Sequence, residues 1–289
     1  MPAPDYAVII PHFNDLERLE RCLAALVVQD LSGTEVVVAD NASPVDMAPL
    51  QATYPQVRFV TQPERGAAAA RNKGVEVTTA LWIFLLDADC VPSEGWLARA
   101  REIATGDANV VSGGRIEVFD ETPAPRSGAE AFETVFAFDQ ERYIREDGFS
   151  VTANLVAARA IFEATGPMVV GLSEDVDWCR RAVAAGATLR YDPALVVAHP
   201  TRPDWPALQK KWRRMTEEGF GLARAAPMGR VKWLLKALLM PVSVAAHLPR
   251  ILRHGALSGL EKRRAAGTLL RLRMQRMVWM ILQAAGRGI

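Results

Sequence analysis

Two apolar runs near the start of the chain each end on an aspartate. EVVVA, residues 35–39, stops at Asp40, and LWIFLL, residues 81–86, stops at Asp87. Runs this short and this apolar read as buried strands. Residues 7–10 form an earlier run, ended by Pro11, and residues 57–60 form another. Helical spacing lies between them: Leu16, Leu19, Leu23, Leu26 and Val27 recur along residues 16–28, and residues 67–77 open on alanines. Strands alternating with helices predict an α/β fold, a parallel sheet with crossover helices. Ligands of such a sheet bind outside the carboxyl ends of its strands, which is where both aspartates stand.

The alternation weakens after residue 110. Residues 115–150 hold Pro123, Pro125 and many charges, and are expected to form a loop and a helix beside the site. Residues 150–157 are strand-like, residues 174–185 are helical with Gly186 as the residue after the cap, and residues 189–191 and 195–198 are two short strands, the second leading into His199. Half of the 289 residues are hydrophobic and 23% are charged, which excludes a disordered chain and leaves ample core. Cys22, Cys90 and Cys179 show no paired spacing, so neither a disulfide framework nor a zinc site is expected, and a reducing compartment suits them. Asp5 and the lack of a basic residue ahead of the first apolar run argue against a secretory signal.

The chemistry-bearing residues cluster at the strand ends. Asp87-Ala88-Asp89 puts two carboxylates at a strand mouth, on one side if the strand continues. They repel unless a cation lies between them, and Mg²⁺ or Mn²⁺ accepts oxygen ligands while leaving positions for diphosphate oxygens. Two solvated turn aspartates are the plain alternative. Asp40 can accept from a ribose hydroxyl or a base N–H, or form an Asx turn with the residues after it. Pro11-His12-Phe13-Asn14 follows the first strand, with Asn14 a candidate cap. Arg65 precedes the alanine-rich helix and Asn72 lies along it. Glu174-Asp175 opens a later helix, where the helix N-terminus favours an ionised carboxylate suited to general-base work. His199 ends a strand before Pro200.

Taken together, these segments resemble the family 2 glycosyltransferases, whose fold is GT-A. The matching stretches are VIIPHFND (residues 8–15), EVVVADNAS (35–43), ERGAAAARNKG (64–74), LWIFLLDADCVPSEGWL (81–97), TANLVAARAIFEATGP (152–167) and GLSEDVDWCRRAVAAGATLRYDP (171–193). The resemblance implies a single Rossmann-like sandwich with a mostly parallel central sheet over residues 1–204. Its nucleotide-sugar half would be 1–110 and its acceptor half 111–204. It implies that Pro11, Phe13 and Asp40 line the nucleoside pocket with Arg65 and Asn72 nearby, and that Asp87 and Ala88 meet the ribose or diphosphate. By the same resemblance Asp89 binds Mn²⁺ or Mg²⁺ with His199 completing the coordination, Asp175 is the general base, and Glu174 positions acceptor or sugar. Trp178, one turn past Glu174, would pack under a sugar ring or simply in the core, and Asn154 is a weaker candidate for the same contact. The implied reaction is transfer of one hexosyl unit, with inversion, from a UDP-, GDP- or TDP-sugar to a lipid-linked or glycan acceptor. The processive Gln-x-x-Arg-Trp motif is not matched by Gln209-Lys210-Lys211-Trp212-Arg213, so a single transfer is expected. The competing readings are a nucleotidyltransferase, which would want a Gly-rich loop where Pro11–Asn14 stands, and a non-catalytic nucleotide-sugar-binding protein.

Net charge divides the chain. Residues 1–200 carry 16 Lys+Arg against 29 Asp+Glu, and residues 201–289 carry 18 against 4. A body at −13 with a tail at +14 points the tail at something anionic. Residues 205–289 are expected to form a basic amphipathic helical extension, with Leu270, Met274, Met277, Val278 and Ile281 as an apolar stripe and Trp233 and Trp279 as interfacial anchors. The charge-free stretch 237–249 is shorter than the ~18–20 residues a span needs. Peripheral attachment of residues 230–289 to the anionic inner face of the cell membrane, with the enzyme cytoplasmic, is therefore the expectation. No recognition motif supports nucleic-acid binding.

Overall fold

Parallel pairing explains the unbroken apolar runs. In the computed structural model, which describes residues 4–224 and 226–289, β1 (Tyr6–His12) pairs in parallel with both β2 (Thr34–Asp40) and β4 (Trp82–Leu86), and β2 with β3 (Val57–Thr61). Side chains alternate across a strand. Val8 and Ile10 enter one core cluster with Leu23, Phe84 and Trp96, while Ala7 and Ile9 enter another with Val37, Leu85 and Trp178. Both faces are covered, so the middle of each strand is an unbroken apolar run.

Helices close the crossovers. α1 (Leu16–Val27) buries Leu19, Cys22, Leu23 and Leu26, and Asp15 caps it by accepting from the Arg18 N–H. Then come α2 (Ala48–Thr53) and α3 (Ala67–Glu76), whose buried face is Ala68, Ala69, Ala70, Arg71 and Gly74. A side chain at Gly74 would run into Ile9, so small residues let α3 lie close on β1.

β5 (Val91–Pro92), α4 (Trp96–Ala104), β6 (Val110–Phe119), α6 (Gln140–Arg142) with a π-turn over Tyr143–Asp147, β7 (Asn154–Ala158), α7 (Arg159–Thr165), α8 (Glu174–Ala184) and β8 (Thr188–Pro200) complete the α/β part, while α5 (Gly128–Phe136), between β6 and α6, belongs to the helical unit. The sheet order is β3-β2-β1-β4-β7-β6-β8-β5. The parallel run ends at β4, because β7 pairs antiparallel with β4 and with β6, and β5 with β8. Several details of the strands differ from the sequence expectation. β1 runs on through Pro11, whose missing N–H a terminal strand position tolerates. The two short strands expected at 189–191 and 195–198 are one, β8. β6 was not expected, since Ser112, Gly113 and Gly114 interrupt its hydrophobic pattern.

The chain forms two compact units. The first runs to Glu117 and resumes over Asp139–His199; the second comprises Val118–Phe138 and Pro200–Ile289. The second unit is helical: α5, α9 (Trp205–Arg224), α10 (Gly229–Leu238), α11 (Met240–Arg253) and α12 (Gly259–Ala284). α12 starts at a capping box, Ser258 with Glu261, and buries Ala265, Leu269, Leu272, Trp279 and Met280. Its Leu269 and Leu272 pack with Phe132 of α5, Leu208 of α9 and Ile251 of α11. Glu133 of α5, also buried, is held ionised by Lys211 at 2.5 Å and by Arg202. Trp233 and Trp279 are buried in this unit, Trp233 donating to Gln283 Oε1 at 3.1 Å, so neither has the exposed anchor position expected of it. Leu270, Met274 and Val278 do remain exposed. Among the described residues no single helix is long and apolar enough to cross a membrane; α10 and α11 pass that test only as a pair bent by 56°.

Candidate active site

The parallel register aligns the ends of β1 and β2, pairing His12 with Asp40. His12 Nδ1 lies 2.8 Å from Asp40 Oδ1, and the Asp15 N–H donates to His12 Nε2 at 3.1 Å. Those partners set the imidazole with its proton on Nδ1. Asp40 also accepts from the Ser43 hydroxyl and, at 3.0 Å, from the Ser43 N–H. The Asx turn expected as the plain alternative gives way to a local cap three residues on, and the carboxylate is largely occupied. Asn41 beside it donates to the carbonyls of Gln62 and Glu64 and accepts from the Gly66 N–H at 2.7 Å. This fastens the 62–66 loop to the end of β2, with Gly66 at φ 131°, a conformation that favours glycine. The loop carries Arg65, whose guanidinium lies 5.9 Å from the centroid of the half-exposed Phe13 ring. Phe13 and Arg65 thus form an open aromatic–cationic platform next to the Asp40 corner.

Arg71 organises the centre. It is 4% exposed, and donates through Nη2 to Asp87 Oδ1 at 2.6 Å and through Nη1 to Glu174 Oε1 at 2.9 Å. The two carboxylates raise its already high pKa, although burial opposes them. One guanidinium therefore ties the mouth of β4 to the first turn of α8. Asp175, next to Glu174, accepts from the Val176 N–H at 2.8 Å. Burial and the Glu174 charge push its carboxyl up to about 6, with Arg71 pulling the other way.

The second carboxylate of the Asp87-Ala88-Asp89 motif goes elsewhere. The strand stops at Leu86, and the Cys90 N–H donates to the Asp87 carbonyl at 3.0 Å, so 87–90 is a turn rather than extended chain. Asp87 turns to Arg71, while Asp89 Oδ2 meets His199 Nε2 at 3.2 Å. β5 pairs Val91 with Ala198, which sets Asp89 beside His199 despite 110 positions of separation. Ala88 is half-buried against the core. Among the described residues no group of three or more His, Cys, Asp or Glu side chains is arranged around a metal position. Asp89 and His199 still fit a divalent ion in kind: one hard oxygen and one imidazole nitrogen, with the remaining positions left to phosphate oxygens and water.

Three named candidates prove to be tied up in the framework. Asn72 spends its amide on Met168, accepting from its N–H at 2.9 Å and donating to its carbonyl at 2.8 Å. Asn154 is fully buried, accepts from Trp96 Nε1 and donates to the carbonyls of Arg115 and Leu195, so it joins β7 to its neighbours. Trp178 is fully buried, donates to the Gly166 carbonyl and lies against Phe162 with ring centroids 4.5 Å apart; of its two readings, core packing is the one seen. Arg71, Asn41 and His12 stand inside the motifs the sequence marks, but the sequence reading gives none of them a site role. The aligned ends of β1 and β2 were a signal for His12, but nothing local marked Arg71.

Comparison with known proteins bears on the family and the fold. Residues 7–166 match the model of glycosyl transferase family 2. This chain belongs to that family. As a glycosyltransferase it is 30% identical over 219 residues to the glycosyltransferase AglE of Haloferax volcanii, a match covering 73% of this chain and 71% of that protein. It is also 30% identical over 216 residues to the pre-mycofactocin glycosyltransferase of Mycobacterium tuberculosis, covering 70% of this chain but only 45% of that longer protein. A mannosyltransferase from Pyrobaculum calidifontis, solved with GDP-Man and Mn²⁺, shares the fold of this glycosyltransferase at a TM-score of 0.56 and 17% identity, over 99% of this chain and 76% of its own.

Proposed function

We propose that this glycosyltransferase moves one sugar, with inversion, from a nucleotide-sugar donor to a hydroxyl of a lipid-linked or glycan acceptor, in a divalent-metal-dependent reaction at the inner face of the cell membrane. The observation that carries the reading is the Arg71 bridge. It fixes the Asp87 corner and the Asp175 carboxylate on one buried ion-paired frame, so a donor held at the strand end lies within reach of the base on α8. The Phe13–Arg65 platform suits a nucleobase, which offers a π face and acceptor edges. Asp40 Oδ2, which among the described residues accepts only from the Ser43 N–H, keeps one acceptor position for a ribose or base donor. Asp89 and His199 would hold Mn²⁺ or Mg²⁺. Bound there, the ion would neutralise the charge that develops on the departing diphosphate.

The acceptor oxygen attacks the anomeric carbon as its proton passes to an Asp175 oxygen, and the bond to the diphosphate oxygen breaks with its electron pair leaving on phosphate. A base that titrates at about 6 is ionised at neutral pH, yet basic enough to take a proton in the transition state. Direct displacement inverts the centre. The GDP-Man bound by the Pyrobaculum enzyme makes a guanosine donor worth testing first, alongside UDP- and TDP-sugars. Membrane attachment rests on the basic excess of residues 201–289 and on the exposed Leu235, Leu238, Leu239 and Val242.

Melting temperature measured against GDP-, UDP- and TDP-sugars with Mn²⁺ or Mg²⁺ tests the donor side, since a ligand of the folded state raises it. One nucleotide class should stabilise the wild type strongly and Asp89→Asn weakly. No stabilisation by any of them, or full turnover in Asp175→Asn, would sink the mechanism. Flotation with anionic vesicles tests attachment; failure to float counts against it.

A further inference from the structure

In the helical unit, α12 turns Arg273 and Arg276 toward its neighbours. The Nε of each is buried without a hydrogen-bond partner, and so is Nε1 of Trp212 on α9. The Arg276 guanidinium lies 4.5 Å from the centroid of the Trp212 ring, and Arg273, one turn back on the same face, reaches only the sulfur of Met240 at 4.0 Å. A thioether is a weak acceptor and an indole face is no acceptor for Nε. Three orphaned donors therefore share one place, two of them cationic. Burial lowers the pKa of both arginines, to about 10 for Arg276, and there the Arg273 charge adds to the effect.

Elsewhere in this unit buried charge is compensated: Glu133 by Lys211 and Arg202, Arg126 by Asp120 and Glu261. The four acidic residues of 201–289 are already committed. Glu217 pairs with Arg213, Glu218 with Arg214 and Glu261 with Ser258, while Asp204 accepts from the Ala207 N–H. Among the described residues neither Arg273 nor Arg276 has an ion pair, so an anion from outside would supply the missing partner. Its chemistry follows from the donors. Two guanidinium forks and one indole N–H match a tetrahedral oxyanion. Met240, which touches Arg273, is the elbow between α10 and α11, and around that elbow Leu238, Leu239 and Val242 are 55%, 61% and 67% exposed. An apolar surface therefore adjoins the cationic cluster.

We propose that Arg273, Arg276 and Trp212 form an oxyanion site for the phosphate ester of a lipid whose alkyl chain lies along the exposed elbow of α10 and α11. Two sources carry that chemistry, a bilayer phospholipid and a lipid monophosphate such as an acceptor carrier. The alkyl-chain part rests on the membrane reading above; the oxyanion part does not.

The test is the melting temperature of the full chain, wild type and Arg273→Met/Arg276→Met, with inorganic phosphate, with dodecyl phosphate and with phosphatidylglycerol vesicles. Without ligand the double variant should melt at or above the wild type, because unpaired buried charge is replaced by apolar volume. Dodecyl phosphate should raise the wild type by roughly 2–4 °C and leave the variant unmoved. A shift with dodecyl phosphate assigns the site to a lipid monophosphate, and one with phosphatidylglycerol alone to a bilayer headgroup. A shift with inorganic phosphate alone removes the lipid from the assignment. A variant that melts below the wild type, or equal shifts in both proteins, overturns the site. Stabilisation by the nucleotide-sugar should persist in the variant, so its loss would indict the catalytic reading separately.

Discussion

Replacing Arg71 with methionine should damage stability and catalysis together, and the structure sets the size of both effects. The guanidinium is the cation shared by Asp87 and Glu174, and its side chain is 5% exposed. Removing one partner of a fully buried ion pair costs ~3–5 kcal/mol. The two carboxylates here are 28% and 22% exposed, so water recovers part of that, and ~2–4 kcal/mol is the expected loss. At ~2–4 °C per kcal/mol for a unit of this size, melting should fall by roughly 4–16 °C. The chemical effect has a sign of its own. Arg71 holds the Asp175 pKa down against burial and Glu174. Without it the carboxyl titrates higher, so the acid limb of the kcat profile moves from about 6 toward neutral pH. Arg71→Lys should recover part of each, because an ammonium reaches one carboxylate well but cannot fork between two. Differential scanning fluorimetry and a pH–rate profile read the two effects. A variant melting within about 2 °C of wild type, with its acid limb unmoved, would refute the bridge as the frame of the site.

Other outcomes follow from single contacts. Asp175→Asn should lower kcat by ~10²–10⁴-fold with donor binding intact, as expected for loss of a general base; isothermal titration with donor separates the two. The same variant carries a stability signature. The folded pKa of Asp175 is about 6, above its ordinary 3.8, so ionising it opposes folding, and the cost sets in as pH rises from about 4 to about 6. Asp175→Asn should therefore melt above wild type at pH 7.5 and lose that advantage at pH 4. His199→Ala should raise the metal concentration for half-maximal activity at least ~10-fold, leaving the circular dichroism spectrum unchanged. Asn154→Ala strands the Leu195 carbonyl and Trp96 Nε1 in the core and frees the part-buried Arg115 carbonyl, a loss of roughly 3 kcal/mol by denaturant titration at little cost to kcat per folded molecule.

The parallel half of the sheet was legible because burial on both faces forces continuous apolar runs, and each run could be read in isolation. The antiparallel half was not. β6 mixes Ser112, Gly113 and Gly114 into its run, because Gly113 and Gly114 lie so close to Ser150 and Asn154 that side chains would clash. The space set by a distant strand chose those residues, and no local period records it. The tail shows the opposite failure. Leu270, Met274 and Val278 keep the apolar stripe that the helical period promised, but Leu269, Leu272, Trp279 and Met280 supply a second stripe that became the core of the unit. Periodicity shows that a helix has an apolar face; with two, it does not say which one the protein covers.

The site divides along the same line. Its carboxylates were readable because a strand end or a helix start marks each of them locally. Arg71 was not: beside Asn72 on one helix, an arginine reads from sequence as a solvated surface residue. On α3 the buried face is Ala68, Ala69, Ala70 and Gly74, and an arginine among such small residues has no local reason to be inside. Its reason is Glu174, 103 positions away. Small neighbours let α3 approach β1, that approach puts the guanidinium under the strand mouth, and only then are Asp87 and Glu174 near enough to compensate its charge. Such a residue is found by asking which buried charge lacks a local explanation. The same question, put to Arg273 and Arg276, returns no partner within the chain and so leads outward to a ligand.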